Sequence, residues 1–103
     1  MIKANELRIG NYVALTKEAK EDFQNIIGEK TNDCYDITFF NPDGVDFDGY
    51  DFTFNELKPI PLTEDWLLKL PKDLVYPDWI EFVHDLQNWY YWNNNKKELI
   101  ISI

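Results

Sequence analysis

The sequence predicts an α+β domain, with strands first and helices last. Alternating β-branched and aromatic segments crowd residues 11–54, and amphipathic helical spacing follows only after residue 63. Strands followed by helices segregate rather than alternate, which favours an antiparallel sheet with helices packed against it. The expected architecture is a small antiparallel sheet of four or five strands, strongly curved or closed as an SH3-like barrel. A short helix, a longer C-terminal helix and a final strand follow. At 103 residues the chain fits one domain, residues 1–103, with a single core.

NYVAL (11–15) has strand composition, and Gly10-Asn11 before it suits a tight turn. TKEAKED (16–22) is charged and reads as an exposed connection. FQNIIGEKT (23–31) reads as a second strand with Gly28 at a bulge, and CYDITFF (34–40) as the clearest strand. NPDG (41–44) has turn chemistry at every position, and Asp48-Gly49 is a second hairpin signal. Both turns are tight only if residues 45–47 form a very short strand, so one of them is expected to be a bulge. YDFTF (50–54) alternates, with Tyr50, Phe52 and Phe54 on one face.

Pro59 and Pro61 exclude a central strand, and Thr63 with Glu64 and Asp65 starts a short helix that Pro71 stops. The last helix is expected to open at Asp78, capped with Glu81, and to end near Asn93. ELIISI (98–103) has the composition of the final strand. The expected core is Val13, Ile27, Ile37, Phe39, Phe52, Phe54, Leu67, Phe82, Leu86 and Trp89.

Nineteen acidic residues oppose ten basic ones, for a net charge of −9. That field repels phosphates and anionic lipid, so direct nucleic-acid or membrane binding is not expected. No segment has the roughly 18 apolar residues of a membrane span, and a single cysteine permits no internal disulfide. The chain reads as a cytoplasmic protein without cofactor or metal. The acidic run 43–51 lacks two of the ligands that an EF-hand loop requires. Cys34 and His84 are residue types that form a nucleophile–base pair, but no local pattern supports one.

The stretch FVHDLQNWYYW (82–92) holds two of the four tryptophans and the only histidine. At 100° per residue, Phe82, Val83, Leu86, Trp89 and Tyr90 form an ordinary core stripe. Ile80, His84, Gln87 and Tyr91 form a second stripe, and Trp92 falls on the polar side. Ile80, His84, Tyr91 and Trp92 are therefore the candidate binding residues, since aromatic side chains with a polar handle are enriched at interface centres.

Three blocks, NELRIGNYV, PIPLTEDWLLKL and FVHDLQNWYY followed by EL and a strand, resemble a family of small uncharacterised proteins from bacteroidete genomes and their phages and prophages. They cover about half the chain, in the family's order. Departures fall in connections, at Leu70-Pro71 and at residues 93–97. The resemblance implies a phage or prophage setting and an N-terminal sheet followed by helices, and it brings no catalytic residues.

Two functions are expected from these observations. The first is a non-enzymatic phage or prophage protein binding another protein, or itself, through an acidic aromatic surface, for instance as a host-defence inhibitor whose carboxylates imitate phosphates. The second is a small-molecule or nucleotide binder that stacks its ligand on the helix aromatics.

Overall fold

The computed structural model describes residues 2–47 and 49–102. Residues 12–15 form β1 (Tyr12–Leu15). Strand alternation turns Val13 and Leu15 to one face and Tyr12 and Ala14 to the other, and the two faces feed different apolar clusters. Thr16 then starts a helix where a connection was expected. Its hydroxyl accepts from the Ala19 amide, and α1 (Lys17–Ile27) runs to Gly28, whose φ of 74° closes the helix in the left-handed region. The expected second strand at 23–31 is therefore mostly helix. Ala19, Phe23 and Ile27 lie four residues apart and pack on the core, while the charges between them face solvent.

The next four strands are β2 (Tyr35–Asp36), β3 (Phe39–Asn41), β4 (Gly44–Phe47) and β5 (Tyr50–Thr53). Asn41 pairs with Gly44 and Phe47 with Tyr50, so both turn signals make tight hairpins and neither is a bulge. A β4 of only four residues makes this possible. Gly44 is required there: a Cβ built on it would lie 1.8 Å from the Phe52 carbonyl oxygen. β6 (Leu57–Lys58) follows a single helical turn and ends before Pro59.

The strands form two antiparallel sheets, ordered β2-β1-β6 and β3-β4-β5, and these do not close into a barrel. The principal core lies among both sheets and α1. Tyr35 stacks on Phe47 at 5.1 Å, Phe47 on Phe52 at 5.0 Å, and Phe23 meets Phe52 edge-on at 5.1 Å. Such pairs add about 0.5–1.5 kcal/mol each beyond their area burial. Ile37 is buried at the crossing from β2 to β3, and the change of sheet there breaks the alternation. Phe40 packs inward in consequence, and Phe39, expected in the core, is 60% exposed.

α2 (Glu64–Leu67) begins after Thr63 as expected, and turns continue it to Leu70. Its inward residues are Trp66 and Leu70. Leu67, another expected core residue, is exposed. α3 (Val83–Asn93) starts four residues later than the Asp78 cap implied. The preceding segment stays extended because it is a backbone partner: Phe82 bridges Pro61, the Val83 amide donates to the Ile60 carbonyl, and the Leu62 amide donates to the Glu81 carbonyl. The expected final strand is absent over residues 98–102, and Ile103 lies outside the described residues. Leu99 is instead buried with Leu70, Ile80 and Leu86, and the Ser102 amide donates to the Lys69 carbonyl.

Candidate functional site

On α3, Gln87 and Asn88 reach back to the N-terminal segment. The Gln87 carboxamide accepts from the Tyr12 amide at 2.8 Å and donates to the Gly10 carbonyl at 3.0 Å. A primary amide sets an N–H donor and a carbonyl acceptor in one plane, and so can stand in for a peptide group. Because backbone groups alternate in direction along a strand, Tyr12 faces the same edge as Thr16, whose amide donates to Glu56. Gln87 thus continues the ladder of β1 beyond the point where β6 stops. Asn88 accepts from the Asn11 side chain at 2.8 Å and donates to the Glu6 carbonyl at 2.7 Å.

Arg8, the single arginine, completes this clasp. Its guanidinium pairs with Glu98, donates to Asn88 at 3.2 Å and lies 3.8 Å from the centroid of Tyr91. NELRIGNYV and VHDLQNWYY therefore meet in space through structural bonds.

The four candidate binding residues separate accordingly. Ile80 is buried in the cluster around Leu86, and His84 is 1% exposed, so neither offers surface to a partner. The His84 imidazole stacks on Phe82 at 6.0 Å, and both ring nitrogens lack a hydrogen-bond partner. Carboxylate oxygens of Asp85 and Glu6 lie 3.3 and 3.7 Å from Nε2 without hydrogen-bonding geometry. Tyr91 is half-buried beneath Arg8. Trp92, 65% exposed, meets Tyr91 edge-on at 5.2 Å and carries the Lys96 ammonium 5.7 Å from its ring centroid.

A cavity lies elsewhere. A cleft of about 680 Å³ opens between the β1–β2 edge and α2, with Tyr12, Cys34, Asp36, Asp65, Trp66 and Lys69 in its walls. Tyr12 and Trp66 form an angled aromatic floor, their rings tilted by 51° with centroids 6.0 Å apart. Three carboxylates, Asp33, Asp36 and Asp65, face one ammonium, Lys69. Asp33 is engaged by Lys20 at 3.0 Å, and the hydrogen bond and charge of that lysine hold its carboxyl below the usual range. Asp36 and Asp65 make no ion pair among the described residues. Lys69 lies over Trp66, its Nζ 4.8 Å from the ring centroid.

These surroundings disfavour covalent chemistry at the cleft. Burial pushes the Cys34 thiol up, and Asp33 and Asp36 add to the rise against the opposing pull of Lys69. A thiol held protonated is the reverse of an activated nucleophile. Burial also raises the Tyr12 phenol, with Asp36 and Cys34 contributing. What remains is a neutral aromatic floor with a negative rim, an arrangement that attracts cations.

A second carboxylate pair, Asp46 and Asp51, faces across β4 and β5. A shared hydrogen bond and mutual repulsion raise Asp51, while the Asn41 side chain donates to Asp46 at 2.9 Å. Among the described residues no cluster of three or more histidine, cysteine or acidic side chains is placed to hold a metal ion, and no helix is long and apolar enough to cross a membrane.

Fold and cleft together define a small α+β domain with an acidic aromatic groove. Compared with models of known families, with curated proteins and with solved structures, the chain matches none.

Sequence reasoning missed the cleft. Asp65 and Trp66 were visible as helix residues and Cys34 to Asp36 as a strand, but nothing in their spacing joins them. The available signal was Trp66 itself, a large aromatic directly after the two acids that open a short helix.

Proposed function

We propose that this chain is a small non-enzymatic phage or prophage protein that binds another protein in the host cytoplasm. The cleft between β2 and α2 is its contact surface. The observation that carries the reading is the cleft's composition: an aromatic floor, two unpaired carboxylates and no activated nucleophile. Interfaces concentrate their energy in such aromatic anchors, and complementary charge supplies selectivity and rapid encounter. The phage setting rests on the resemblance of the three sequence blocks. Inhibition of a host-defence factor is one form the role takes, with Asp36 and Asp65 set against a basic groove.

The alternative of a nucleotide stacked on the C-terminal aromatics has weaker support. Arg8, anchored by Glu98 and Asn88, covers Tyr91, and neither Tyr91 nor Trp92 lines the cleft.

Affinity capture from a bacteroidete lysate tests the proposal. Wild type and Trp92→Ser are expected to retain the same protein, and the double variant Asp36→Asn/Asp65→Asn is expected to lose it. Both aspartates are exposed, so the double variant keeps its fold. Recovery of no protein at any salt concentration, or equal retention by the double variant, counts against the cleft.

A further inference from the structure

We propose that the cleft between β2 and α2 receives an arginine side chain from a basic segment of the partner, with its guanidinium on Trp66 and its N–H groups toward Asp36 and Asp65. This rests on the protein-binding reading above and names the group that the cleft recognises.

The first support is that the cleft already holds a cation of its own. The Lys69 ammonium sits 4.8 Å from the Trp66 centroid, and Lys69 makes no ion pair among the described residues. A cation over the face of an indole is attracted by the ring quadrupole, most strongly where water is displaced. No ion pair fixes Lys69 there, although its charge also acts on Asp33 and Cys34, and a guanidinium that adds hydrogen bonds to two carboxylates can take its place.

The second support is the distribution of charge. Of the three carboxylates around the cleft, Lys20 neutralises Asp33 alone. Asp36 and Asp65 make no ion pair among the described residues, and Asp36 is near enough to Tyr12 to raise its phenol. An anionic ligand would meet this rim as repulsion, and an uncharged one would gain nothing from either carboxylate. The net charge of −9 adds long-range steering toward a basic partner.

Arginine fits better than lysine for geometric reasons. Its guanidinium is planar, stacks on an aromatic face, offers five donors in a fixed fork and sheds water more readily than an ammonium. Lys69 already fills the role of a compact ammonium, so a lysine would exchange like for like. A volume of about 680 Å³ also exceeds one side chain, which leaves room for the flanking backbone of the segment.

Nuclear magnetic resonance on the uniformly labelled full chain provides the test, with three short capped peptides of glycine alternating with arginine, lysine or citrulline. The arginine peptide is expected to move the Trp66 indole N–H and the amides of residues 33–36 saturably. Citrulline, which keeps the shape and loses the charge, is expected to bind at least about tenfold more weakly, and Asp36→Asn/Asp65→Asn to weaken the arginine peptide by a similar factor.

Equal affinity for citrulline or lysine overturns the proposal. So do shifts spread over the whole acidic surface and unaffected by the double variant. If the arginine peptide moves nothing while lysate capture still depends on Asp36 and Asp65, arginine recognition is overturned and protein binding at the cleft stands. If capture fails as well, both fall.

Discussion

His84 is buried with two ring nitrogens that make no hydrogen bond. An unpaired buried polar group costs roughly 1–3 kcal/mol, so an apolar residue of similar size recovers part of that. His84→Leu is expected to keep or raise the melting temperature, whereas His84→Ala lowers it by opening a cavity. A large loss in His84→Leu would mean that the imidazole stabilises the fold through the neighbouring Asp85 or Glu6 carboxylate. Gln87 is the opposite case. Replacing it with alanine strands the Tyr12 amide and the Gly10 carbonyl and is expected to destabilise the fold by about 2–4 kcal/mol, read by urea denaturation.

Asp51 gives a pH dependence whose sign is fixed. Its folded carboxyl is raised because Asp46 faces it. The folded state therefore holds the proton more tightly than the unfolded chain, and this contribution is present at low pH and lost as pH rises through the folded value. Asp51→Asn is expected to melt higher than wild type at neutral pH, with the difference closing on acidification. The Asp46–Asp51 register follows locally once Phe47 pairs with Tyr50, whereas the burial of His84 was not legible because it comes from tertiary packing. An i, i+4, i+7, i+11 stripe reads the same whether it faces solvent or a second cluster.

At the scale of elements, α1 shows what the sequence did and did not disclose. Ala19, Phe23 and Ile27 recur every four residues behind Thr16, a helix signature, but the β-branched and aromatic content of FQNII resembles a strand. The cap and the periodicity prevailed over composition. Thr16→Ala is expected to cost about 1 kcal/mol through the lost cap. Gly44→Ala is expected to disrupt the β4–β5 pairing outright, since its new methyl meets backbone and has no flexible side chain to push aside. Both are measurable by thermal melting followed by circular dichroism. The two turn signals were legible because turn chemistry is local, but the expectation of one bulge failed because β4 is short enough for both hairpins. The late start of α3 was not, because residues 80–82 are held extended by a partner some twenty residues earlier in the chain.

The whole molecule joins two small sheets, one helix on the principal core, and a C-terminal helix tied back by polar bonds to the first strand. Fold class was readable from the hairpin strands and the C-terminal helix although α1 interrupts the expected order, while barrel closure was not, since closure depends on how the strands distribute between sheets. Function divides the same way. The acidity and the aromatic content were plain, but the cleft needs Tyr12, residues 33–36 and residues 65–69 brought together by folding. Binding through that cleft is tested most directly by amide hydrogen exchange on the chain alone and with its captured partner. Protection is expected over residues 32–36 and 63–69. Protection confined to residues 89–97, with the cleft exchanging as in the free protein, would contradict it.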